Sequence, residues 1–238
     1  MMSEPATNTD DHAWLLRLLQ AGDSFYPTGS YAHSFGLEAL VQDGVIQDRA
    51  SLRQFLFLSV LPALRQAELP LAAHAWRALA GPDWKAVGEL CVLSSALKAP
   101  RELRLASEQI GRQRAELLAQ LHPGSLAATF CREAAENRWP GSAAVSAALE
   151  GRVAGAPLPA VLSGVYYSAI AALLSAGMKL LRLGQNGAQT LLSEALAPAP
   201  AILSAATVVP VSEVGWFNPW LDIAAARHEF ADARMFIS

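Results

Sequence analysis

Arg101-Glu102-Leu103-Arg104-Leu105-Ala106-Ser107-Glu108-Gln109-Ile110-Gly111-Arg112-Gln113-Arg114-Ala115-Glu116-Leu117-Leu118-Ala119-Gln120-Leu121 runs unbroken by proline. Leu103, Ala106, Ile110, Leu117 and Leu121 recur at spacings of 3, 4, 7 and 4, the repeat of one face of an α-helix. Pro100 suits the first turn, where its missing N–H costs nothing. Glu108, Arg112 and Glu116 fall four apart on the outer face and can pair at about 0.2–0.5 kcal/mol each. The spacing predicts a long helix with one apolar side, which needs other helices to cover it.

The flanking chain supplies them. Upstream, Trp14 to Leu19 has helical apolar spacing and ends at Gly22, and Ser30 to Gln42 reads as a second helix closed by Asp43-Gly44. Asp48 is a fitting N-cap for a third helix through Leu52, Phe55 and Leu58, with a kink or break expected at Pro62. Leu71–Leu79 and Trp84–Leu97 follow, separated by Gly81-Pro82-Asp83. Downstream, helices are predicted over Leu126–Glu136 and Ala143–Gly151, then from Asn186-Gly187 through Leu196. Ala197 to Ala201 alternates Ala and Pro and reads as a brief extended spacer, and Asn218-Pro219 starts a terminal helix reaching about Arg234. No strand alternation or repeat is visible. The reading is one all-α domain over residues 12–238, with nine to eleven helices, behind a flexible tail over residues 1–11.

Composition agrees. Of 238 residues, 46 are Ala and 36 are Leu, so strong helix formers fill about a third of the chain. With 18 Lys+Arg against 21 Asp+Glu the net charge is −3, which excludes binding to nucleic acid driven by charge. A 53% hydrophobic content with only 16% charged residues exceeds what one soluble core usually needs, so apolar surface is left for an interface. Cys91 and Cys131 stand alone, which suits reduced thiols in a cytoplasmic protein, and Met1 to Asp11 lacks the basic start of a secretory signal. The 26 residues between Arg152 and Lys179 carry no formal charge, but Pro157, Pro159 and several Ser, Gly and Ala residues favour a buried central helix over a membrane span.

Catalytic signatures are missing. There is no phosphate-binding glycine loop, no dinucleotide fingerprint and no nucleophile elbow. Ser95-Ala96-Leu97-Lys98 matches Ser-x-x-Lys without its companion motifs, and His228-Glu229 is followed by Asp232 where a zincin needs its second His. The five histidines are scattered singly, so a metal site within the chain is not expected. Three places are nevertheless more polar than core and surface demand. They are Thr28 to Glu38, Arg101-Glu102-Leu103-Arg104, and the last helix, where Ile223, Arg227, Phe230 and Arg234 form one stripe with the composition of an interface hot spot.

Together these segments resemble the urease accessory protein UreF family. The match is carried by Phe25-Tyr26-Pro27-Thr28-Gly29-Ser30-Tyr31-Ala32-His33-Ser34-Phe35-Gly36-Leu37-Glu38 and by Arg101-Glu102-Leu103-Arg104 with Gly111-Arg112. It continues in Lys179-Leu180 with Leu183-Gly184-Gln185 and in Ala224 to Glu229 with Arg234. The resemblance implies an all-α, dimer-forming co-chaperone without a cofactor. Such a protein binds UreD (also called UreH) and, through it, the GTPase UreG, and the assembly docks on urease apoprotein during nickel insertion. By the same resemblance the partner-contact candidates are Tyr31, His33, Phe35, Glu38, Arg101, Arg104, Lys179, Gln185, Arg227, His228, Glu229 and Arg234, with Lys179 matching a position linked to gating of the GTPase. An alternative is a strict GTPase-activating protein in which Arg101, Arg104 or Arg234 serves as an arginine finger.

Overall fold

The computed structural model describes residues 12–23, 25–28, 34–229 and 235–236. Eleven α-helices and no strand are found among them. In chain order they are α1 (Ala13–Ala21), α2 (Leu37–Gln42), α3 (Arg49–Ala78), α4 (Trp84–Ala96), α5 (Arg101–Leu121), α6 (Leu126–Glu136), α7 (Ala143–Ala154), α8 (Leu158–Leu180), α9 (Gln185–Leu196), α10 (Ala199–Ala206) and α11 (Pro219–His228). A 3₁₀ turn, Val211–Glu213, precedes α11.

The expected caps form. Asp48 and Ser51 make a reciprocal capping box at the start of α3, Asp83 accepts the Ala86 N–H at α4, and Asn218 accepts the Leu221 N–H at α11. Pro62, however, does not end α3. The helix widens into π turns over Leu56–Val60 and Leu64–Glu68, which shift its hydrogen-bond register around Pro62 and ahead of Pro70. Pro70 leaves the Gln66 carbonyl without its helical N–H, and the Gly215 amide donates to that oxygen instead, at 3.0 Å. A helix defect thus anchors the strand of chain that leads into α11. The Ala-Pro spacer is also helical, since Pro200 falls in the first turn of α10, where proline is tolerated.

The core is one cluster. Helices α5 and α7 pack most intimately, with α3 against α7 and α6 covering their far side. Gly111 and Gly141 permit this: a Cβ on Gly111 would overlap the Ser142 backbone, and one on Gly141 would overlap the Glu108 carbonyl. The uncharged segment forms α8, which touches α2, α3, α7, α9 and α10, and Tyr166 at its centre donates its hydroxyl to the Ala195 carbonyl at 2.6 Å. Both α3 and α8 are long and apolar enough to cross a membrane by length and composition. Cys91 is buried in α4 with its thiol pushed up to about 12 by desolvation, and Cys131 is half-buried; neither is in a disulfide.

Candidate protein-interaction site

The second helix begins at Leu37, later than periodicity suggests, because Phe35 and Gly36 take left-handed backbone angles (φ +54° and +83°). Glycine suits that angle at Gly36, and its bare Cα lets the end of the Leu221 side chain on α11 come close. The turn therefore lets α11 lie directly on the start of α2. Ser34 Oγ accepts the Glu38 N–H at 3.3 Å, which fixes Glu38 in the first turn of α2, facing α11.

Glu38 is 3% exposed and its carboxylate is fully engaged. Oε1 accepts the Met235 N–H at 2.7 Å, and Oε2 accepts the Phe236 N–H at 3.0 Å. The same Oε2 lies 3.0 Å from Nε2 of His228, whose Nδ1 lies 2.8 Å from Oε2 of Glu102 on α5. Each ring nitrogen of His228 meets a carboxylate oxygen from a different helix at hydrogen-bond distance. One buried ring thus joins α2, α5 and α11, and one carboxylate ties the chain's end to them. Arg101 and Glu229 add an ion pair at 2.6 Å, but with Arg101 63% exposed it contributes little to stability. Lys179 of α8 lies with Nζ 5.2 Å from the centre of the Phe236 ring.

Burial alone would raise the Glu38 pKa, but the Met235 and Phe236 amides and His228 override it and hold the carboxyl below its ordinary value. The sign follows: the folded chain holds this proton less tightly than the unfolded chain, so Glu38 stabilises the fold above the ordinary carboxylate pKa. That contribution falls away as pH drops through the depressed folded value. In urea titrations between neutral and acid pH, Glu38→Gln should therefore be less stable at neutral pH and should flatten the acid limb of the wild-type curve.

The family model of UreF matches residues 46–196 of this chain. The urease accessory protein UreF of Granulibacter bethesdensis is 33% identical over 236 residues, covering 98% of both chains. The chain belongs to the UreF family. UreF of Methylibium petroleiphilum is 32% identical over 226 residues, with 95% of this chain and 94% of that protein covered. UreF of Klebsiella pneumoniae is 31% identical over 227 residues, with 94% and 97% covered.

The segments that carry the UreF resemblance are distant in sequence, yet the structure brings Glu38, Arg101, His228, Glu229 and Lys179 to one junction. Glu38 and His228 are interior, so they order this region instead of offering surface to a partner. Arg104 is also committed internally: its guanidinium donates to the Lys98 and Ala99 carbonyls at 2.9 and 3.2 Å, closing the turn between α4 and α5. Arg104→Ala should cost about 1 kcal/mol in chemical denaturation by orphaning those carbonyls. Phe35 is half-buried beside the junction, Arg227 is exposed on α11, and Gln185 is exposed at the start of α9 with no hydrogen bond or ion pair to the junction among the described residues. Tyr31, His33 and Arg234, together with Phe230 of the predicted stripe, lie outside the described residues.

Two features of this UreF-family chain escaped the reading of its sequence. Tyr26 donates its hydroxyl to Glu150 of α7 at 2.6 Å, and Arg114 Nε stands 3.4 Å from the other carboxylate oxygen. Burial raises the Glu150 pKa against the pull of Arg114, and burial together with Glu150 raises that of Tyr26. This contact pins Tyr26 to the core, and nothing local in the sequence announces it. The second feature is an aromatic rim on the junction: Phe217 is 75% and Trp220 80% exposed, with Trp216 and Ile223 nearly half exposed. Its signal was present in the sequence, as three large aromatics around the Asn218-Pro219 helix start.

Proposed function

We propose that this UreF-family chain is a non-enzymatic, cytoplasmic, homodimeric co-chaperone that binds UreD (UreH) and, through that complex, recruits or gates UreG while nickel is inserted into urease apoprotein. The observation that carries this reading is the rigid junction of α2, α5 and α11 with its exposed aromatic rim. Large aromatics held in place before binding lose little entropy on contact and are typical interface anchors. Rigidity comes from contacts on both sides of the rim: the Gly215 amide on the Gln66 carbonyl, the Gln66 side chain donating to the Glu213 carbonyl at 3.0 Å, and the Asn218 side chain donating to Ser59 Oγ at 3.1 Å.

Within this reading UreD covers Phe217 and Trp220, and Phe236 with the neighbouring Lys179 is presented to UreG. The chain then contributes a coupling free energy between partners, and no bond-making group. Arg101 and Arg104 support a scaffold over an arginine finger, since each already has an internal partner. Co-expression with UreD and UreG, followed by size-exclusion chromatography, tests the proposal: one co-eluting ternary species is expected, and separate elution of all three chains overturns it. Single-turnover GTP hydrolysis by the assembled complex should change less than tenfold on Arg101→Ala. A loss of several orders of magnitude would establish the finger instead.

A further inference from the structure

We propose that the groove between α4 and α6 is a docking site for a helical segment of a partner protein that carries an arginine among aliphatic residues. The site goes beyond the function proposed above, because neither α4 nor α6 supplies a side chain to the Glu38–His228–Glu102 junction. The groove is a shallow trough of about 700 Å³ open to solvent, and its walls include Trp84, Val92, Leu93 and Trp139. Val92 is 54% exposed at its mouth.

Its shape is built by a glycine. A Cβ on Gly88 would approach the Trp139 indole to 2.5 Å, so the absent side chain lets the ring lie against α4, where Phe130 meets it edge-on with centroids 6.1 Å apart. The nitrogen edge of the Trp139 ring packs on Gly88, while among the described residues the Trp84 indole N–H has no protein acceptor, which leaves one donor for an incoming chain. The charge of the walls selects its sign. Glu89 is paired with Lys85 at 3.8 Å, whereas Glu133 on the α6 side has no ion-pair partner among the described residues.

An indole floor beside an unpaired carboxylate suits a guanidinium. Its flat face stacks on the ring while its edge donates to the oxygen pair, and arginine sheds water more readily than lysine. The chain already uses the stacking internally: the Arg152 guanidinium sits 3.3 Å from the Trp76 ring centre while its Nε donates to a backbone carbonyl at 2.7 Å. Aliphatic residues at helical spacing on the same segment would fill the space against Val92 and Leu93.

The test uses the full-length chain with ¹⁵N-labelled indoles. The probes are two synthetic Ala/Gln-based helical peptides with two leucines one turn apart, one carrying an arginine a further turn along and the other a glutamate in its place. The arginine peptide is expected to shift the Trp84 and Trp139 indole signals saturably and to bind about tenfold more tightly than the glutamate peptide. In Glu133→Arg the ranking should invert, and Val92→Asp should weaken both peptides. Equal binding of the two peptides, no shift at either indole, or an unchanged ranking in Glu133→Arg would overturn the proposal. So would indole shifts that follow protein concentration alone, which would place a second copy of this chain in the groove.

Discussion

His228→Ala lowers the stability of the folded chain by about 3 kcal/mol, the cost of emptying a buried site that joins the interior Glu38 carboxylate to Glu102. Glu38 and Glu102 approach opposite sides of the ring at 3.0 and 2.8 Å, and the His228 side chain is only 1% exposed, so water cannot replace it without opening the junction. The effect should be measured as a drop in the urea midpoint at neutral pH. Replacing both carboxylates in the same background, as Glu38→Gln/Glu102→Gln/His228→Ala, should recover part of the loss, because neutral amides tolerate the cavity better than charges. A single variant within 1 kcal/mol of wild type would show that the ring is not the joint described above. Hydrogen exchange should show the loss concentrated in α11 and α2, which meet at this ring, while α5 and α7 keep most of their protection.

Gly141→Ala acts elsewhere and is comparably severe. The added methyl would overlap the Glu108 carbonyl, and backbone cannot swing aside as a flexible side chain would. Either α5 and α7 separate or the turn before α7 is remade, and both disturb the most intimate helix pair in the core. A loss of at least about 3 kcal/mol is expected, read from the urea midpoint or, where folding fails, from the absence of the native near-ultraviolet circular dichroism spectrum. Gly124→Ala is a useful control: that glycine has open space around it but a φ of +77°, so about 1 kcal/mol of backbone strain is its whole cost.

How far the sequence could be read follows from the range of the forces involved. The bounds of helix α5 were legible because its periodicity and proline start are local, but its buried face was not. Ala106 and Ile110 are buried as the stripe suggests, while Leu121 is exposed and Ser107, Gly111, Ala115 and Leu118 complete the inner side. Pro62, where a kink or break was expected, lies instead between two π turns of a continuous helix, and part of what holds that helix is not local: the carbonyl freed by Pro70 accepts the Gly215 amide from much later in the chain. Pro200 misled for a simpler reason, since an Ala-Pro run reads as extended unless the proline happens to fall in a helix's first turn. For the site, the resemblance singled out most of the residues that meet, but not their meeting. Glu38 and His228 are 190 positions apart, and only the fold shows that they are buried partners. The capture of the Met235 and Phe236 amides leaves no trace in composition, because any residue supplies an N–H.

The central claim is that this UreF-family chain works by presenting a pre-ordered surface around α11 to another macromolecule. The affinity of purified UreD for wild type and for Phe217→Ser/Trp220→Ser, measured by calorimetry, tests it most directly. Both side chains are solvent-exposed, so the double variant should keep the wild-type urea midpoint while binding UreD at least about 30-fold more weakly, the loss expected for removing a hot spot. Equal affinity in the two proteins would contradict the claim.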